Sequence, residues 1–165
     1  MDYSEVVTMK EPMTEEAYYD FTTIASAYAE DFANSHDLEI IYPHSNELFL
    51  DIDSPEALAV YVKNRPKFEL HIAKVVAEYQ AVSRSGDPNK THIVLTLDRS
   101  VTNQDRIIYQ SYLGSDPTRE MLSYIRLIYG DPHPTLFYER KGQHLLSERT
   151  VNAEDYDGNG REQEG

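Results

Sequence analysis

The run Glu47-Leu48-Phe49-Leu50-Asp51-Ile52-Asp53-Ser54-Pro55 constrains this chain more than any other. It alternates with the two-residue period of a strand: Leu48, Leu50 and Ile52 share one face, and Phe49, Asp51 and Asp53 the other. Ser54 fits a helix N-cap and Pro55 a first helical residue, so the strand runs straight into a helix. Two carboxylates side by side on an exposed strand face repel each other. A divalent cation with oxygen ligands is the commonest compensation.

The elements around this run follow from the same local rules. Tyr18, Phe21, Ala25, Tyr28 and Phe32 recur at helical spacing and predict a helix over 14–34. A strand is expected over 38–42 and a turn over 43–46. The helix from Pro55 is expected to turn Leu58, Tyr61 and Val62 inward and to stop before Pro66. The stretch 67–77 reads equally as helix or as the approach to a strand over 79–85. Gly86-Asp87-Pro88-Asn89 is a turn. Thr91 to Leu97 is a strand with Ile93, Leu95 and Leu97 on one face and His92, Val94 and Thr96 on the other, the latter face continuing to Asp98. Thr102 caps a helix ending at Gly114, and Ser115-Asp116-Pro117 opens another, closed by Gly130. A last strand is expected over 135–139.

From residue 47 the order is thus βαββαβ, that of ferredoxin-like and RNA-recognition-motif folds. The expected class is α+β. Three segments are expected: a helix and strand extension over 1–46, a core over 47–141 and a polar, disordered acidic tail over 142–165. The first and third core strands should be neighbours at the centre of a sheet with helices on one face and the other face open. Asp51, Asp53 and His92 then look out from the open face. If those strands run parallel in simple register, three or four residues separate the acids from the histidine, roughly 10–13 Å at ~3.3 Å per residue.

Charge is unevenly distributed. Residues 1–53 carry a net −12, residues 54–150 a net +2 and residues 151–165 a net −4. The whole-chain value of −14 argues against a general nucleic-acid binder, which needs basic surface. The absence of cysteine removes disulfides and thiolate metal sites. No apolar run approaches the ~20 residues of a membrane span, and the first residues lack the pattern of a signal peptide. A cytoplasmic protein is the expectation. Asp155-Tyr156-Asp157-Gly158-Asn159-Gly160 matches the first half of an EF-hand loop but lacks the bidentate glutamate.

Leu50-Asp51-Ile52-Asp53, Ser83-Arg84-Ser85-Gly86 with Thr91-His92-Ile93-Val94, and Leu113-Gly114-Ser115-Asp116 together resemble the archaeo-eukaryotic primase and primase-polymerase family, in the manner of its small phage-type members. The resemblance covers about 47–140. It implies that Asp51 and Asp53 bind catalytic Mg²⁺ or Mn²⁺ and that His92 contacts the incoming nucleotide. Asp116 would be a third metal ligand, with Asp98 as its rival. Lys90 stands where the family usually has a small hydroxyl residue. Arg84, Lys90 and Arg119 are the nearest cations for a triphosphate. Asp116 also fits a helix N-cap before Pro117.

The function so implied is a minimal nucleotidyltransferase that makes or extends primers in phage or mobile-element DNA replication. Its partners would be a nucleoside triphosphate, a single-stranded DNA template and host or phage replication proteins, with no membrane. The reading from a different class is a non-catalytic acidic module on the same fold that docks on a replication protein or mimics nucleic acid.

Overall fold

A computed structural model describes residues 29–82, 86–143 and 146. It is an α+β fold built on two antiparallel sheets. The first described element, α1, is helical over 29–35; the rest of the helix expected over 14–34 lies outside the described residues. Strand β1 (Leu38–Ile41) follows, then β2 (Glu47–Ile52), α2 (Pro55–His71), β3 (Val75–Val82) and β4 (Thr91–Leu97). Helices α3 (Asn103–Tyr112) and α4 (Pro117–Ile128) lead to β5 (Phe137–Arg140).

The caps form as the sequence predicts. Ser54 Oγ accepts from Ala57 N, Thr102 Oγ1 from Asp105 N and Asp116 Oδ1 from Thr118 N. Helix α2, however, does not stop at Pro66 but runs through it to His71. Pro66 and Val62 lie on the exposed side of α2, so the unmatched carbonyl four residues back faces water. Tyr61 and Phe68, buried on either side of the proline, hold the helix on the sheet. Leu58 and Val62, expected inside, are exposed, and only Tyr61 of that trio is buried.

The main sheet has the order β2-β4-β3, with β4 antiparallel to both neighbours. The first and third core strands are therefore adjacent, as expected, but not parallel. Crossover through α2 makes β2 and β3 parallel, and the β3–β4 hairpin then reverses β4 against both. The aliphatic face of Leu48, Leu50, Ile52, Ile93, Leu95 and Leu97 packs on Tyr61 and Phe68 of α2 and on Leu113 after α3.

The other face is not open. Strand β5 pairs with β1, from Leu38 opposite Arg140 to Ile41 opposite Phe137. This two-stranded ribbon lies over the second face, where Ile41, Phe49, Val94, Phe137 and Leu146 form a second buried cluster. Leu146 falls in the segment expected to be a polar tail, yet it is buried and its amide donates to Glu139 Oε1 at 2.7 Å. The remainder of that expected tail lies outside the described residues except for Gly142 and Gln143, which are exposed.

Among the described residues, the outer edge of β2 carries no further strand of the main sheet. Side chains complete it instead. Arg106 Nε donates to Glu47 O at 2.8 Å, Phe49 N donates to Gln110 Oε1 at 2.8 Å and Arg119 Nη1 donates to Phe49 O. Asp51 N donates to Ser115 Oγ at 2.9 Å, and Asp116 N donates to Asp51 O at 2.8 Å. Burial lowers the Arg106 pKa to about 10. Among the described residues no helix is long and apolar enough to cross a membrane.

Candidate functional site

Because β2 and β4 are antiparallel, the acidic end of β2 lies against the start of β4. Asp51 is the register partner of His92. His92 Nε2 stands 3.6 Å from Asp51 Oδ1, just beyond hydrogen-bond distance. One step further along, Lys90 Nζ is 3.5 Å from Asp53 Oδ1. The separation of 10–13 Å expected for parallel strands is therefore replaced by direct contact.

These residues line a cavity of about 390 Å³. Asp51, Asp53, Lys90 and His92 form its sheet wall, and Asp116 and Arg119 the wall from the start of α4. Arg119 and Arg126, with Leu122 and Ser123 between them, continue along one face of α4 at helical spacing. Leu136, Phe137 and Tyr138 close the third side.

Phe137 is the structural centre of that third side. Its ring stacks on His92 at a centroid distance of 4.1 Å and 9° between planes, and on Phe49 at 4.7 Å and 5°. Arg119 Cζ lies 5.1 Å from the same ring centroid. The Arg119 guanidinium also donates to Leu136 O and to the Glu120 carboxylate. The histidine predicted to look out from an open sheet is thus held under an aromatic roof, with its edge toward Asp51.

The two carboxylates meet their repulsion partly within the protein, since Lys90 faces Asp53 and the Arg119 charge opposes the others at Asp51. Burial raises the Asp51 pKa above the ordinary carboxyl value; Asp53, Asp116 and Glu120 raise it further and Arg119 opposes them. Asp51, Asp53 and Asp116 offer hard oxygen donors, the set that suits Mg²⁺ or Mn²⁺. Among the described residues no three histidine or acidic side chains converge into a metal cage.

Of the other predicted residues, Asp116 both caps α4 and lines the cavity. Asp98 lies past the opposite end of β4, where its carboxylate accepts from Lys74 N and meets Arg99, so it is no rival third ligand. Arg84 lies outside the described residues. Sequence reasoning missed Arg126, Phe137 and the buried group behind Asp51. The spacing of Arg119, Leu122, Ser123 and Arg126 was a signal for one helix face; nothing local announced Phe137.

Comparison with family models, curated proteins and solved structures finds no match for this chain.

Proposed function

We propose that the cavity binds a nucleoside triphosphate with Mg²⁺ or Mn²⁺ and supports nucleotidyl transfer of the primase-polymerase kind, in phage or mobile-element DNA replication. One observation carries the reading. Asp51, Asp53 and His92, singled out by residue type and strand period, and Lys90, the nearby cation, line one cavity together with Asp116 and Arg119. Its volume of about 390 Å³ falls in the range of ~300–1,000 Å³ usual for small-molecule sites.

A bound divalent ion supplies charge neutralisation at the transferring phosphoryl group. Asp51 and Asp53 would hold that ion, with Asp116 beside them. Lys90 and Arg119 would steady phosphate oxygens, Lys90 as a mobile point charge and Arg119 as a fixed fork. His92, its ring plane set by Phe137, would meet the phosphates from the sheet side. Phe49 cannot serve as a stacking platform for bases, as aromatics on a recognition-motif sheet do, because Phe137 covers it. A template strand would run along the mouth of the cavity rather than across the sheet.

Calorimetric titration of Mn²⁺ and a nucleoside triphosphate into wild type and Asp51→Asn tests this. Saturable, metal-dependent binding in wild type and none in the variant supports the reading. Equal thermal shifts in both proteins discard it.

The Lys90–Asp53 contact favours a second reading. In it the site is a self-neutralised salt-bridge cluster, and the acidic residues 1–53 form the contact surface for a replication protein. Wild type that binds neither metal nor nucleotide, yet retains such a partner, would favour it.

A further inference from the structure

We infer that Glu120 is a positioning residue, setting the backbone at Asp51 and the guanidinium of Arg119 from behind the cavity. Its side chain is 3% exposed. The carboxylate accepts from Gln110 Nε2 at 2.7 Å, from Ser115 Oγ at 2.6 Å and from Arg119 Nη1 at 2.6 Å. Those same three side chains bond Phe49 N, Asp51 N and Phe49 O on the outer edge of β2. One buried acid thus organises much of what a neighbouring strand would supply. Burial of its charge is compensated by Arg119 and by its place in the first turn of α4.

The donor pattern requires a carboxylate. Gln110 Oε1 is committed to Phe49 N, so its amide nitrogen must donate to residue 120. Ser115 Oγ accepts from Asp51 N and donates to residue 120, and Arg119 can only donate. All three neighbours need an acceptor there. A glutamine at 120 would set its own N–H₂ against a donor in either amide orientation.

The same logic supplies a rescue. In the double variant Gln110→Glu with Glu120→Gln, the new carboxylate at 110 accepts from Phe49 N and from the amide at 120. The amide oxygen at 120 then accepts from Ser115 and Arg119.

The consequence for ligand binding rests on the proposed function; the consequence for the strand edge does not. Amide hydrogen exchange of the full chain reads the second. In Glu120→Gln, Phe49 and Asp51 should exchange about tenfold faster or more, relative to Leu48 and Leu50, whose amides face β4. The double variant should restore their protection, and Mn²⁺-nucleotide affinity should fall and recover in parallel. Uniform loss of protection along β2, or no recovery in the double variant, overturns the inference. If Glu120→Gln does not fold, a folded double variant with wild-type exchange supports the inference and an unfolded one overturns it. If wild type binds no nucleotide, the proposed function fails while the exchange comparison still decides the role of Glu120.

Discussion

Asp51 stands directly across the β2–β4 pair from His92, its Oδ1 3.6 Å from the imidazole Nε2. The contact joins a partly buried carboxylate to a histidine pinned by an aromatic ring. Its energetic character follows from the raised Asp51 pKa, whose first cause is burial. A carboxyl group with a raised folded-state pKa binds its proton more tightly folded than unfolded. Stability therefore falls as pH rises through the interval between the ordinary value and the folded one, and the deficit persists above it. Asp51→Asn should be at least as stable as wild type at neutral pH, with any advantage shrinking in acid once Asp51 is protonated. Denaturant titrations at neutral and acidic pH measure this. A variant less stable at neutral pH would mean that contacts to the ionised carboxylate outweigh its burial.

Phe137 joins the ribbon to the main sheet through Phe49 and His92. Phe137→Ala should destabilise the protein by about 3–5 kcal/mol, the usual cost of removing a buried phenyl group. It should also free the His92 ring, visible as a change in imidazole chemical shifts. A loss below about 1 kcal/mol would show that the ribbon contributes little to covering the sheet.

Lys90 and Asp53 are both substantially exposed, at 40% and 45% of their side-chain surface. A pair this wet contributes only ~0–1 kcal/mol to folding. Lys90→Gln should leave the denaturation midpoint nearly unchanged while weakening triphosphate binding and reducing its salt dependence. A large stability loss with unaltered binding would assign Lys90 to the fold alone.

Gly114 follows α3 with φ +91°, and a Cβ there would lie 2.6 Å from the backbone oxygen of Ala57. Gly86 also has positive φ, at +75°, but a Cβ there meets nothing within 4 Å among the described residues. Gly86→Ala should cost ~1–2 kcal/mol from the left-handed backbone alone. Gly114→Ala should cost about 1–3 kcal/mol more, because helix α2 must move away. Comparing the two unfolding free energies checks the difference.

Much of the site was legible before any coordinates. The period of two in β2 and β4 placed Asp51, Asp53 and His92 on one side, and cap chemistry marked Ser54, Thr102 and Asp116. The antiparallel sense of β2 and β4 was also within reach, since a helical crossover followed by a hairpin requires it. Pro66 misled because its local penalty is smaller than the gain from burying Tyr61 and Phe68 together. The inward face of α2 misled for a different reason, because exposed Leu58 and Val62 match the helical period as well as residues that are buried.

Strand period and capping act between residues a few positions apart, so the chain's own order determined the acid-bearing strand, its histidine-bearing neighbour and the helix starts. Only the tertiary structure decided that β5 joins β1 and that Phe137 roofs His92. It also decided that Glu120, Gln110, Ser115 and Arg119 complete the edge beside Asp51. Those contacts join segments up to about 100 residues apart. They are chosen by which buried donors, acceptors and apolar faces remain unmatched once the local elements have formed.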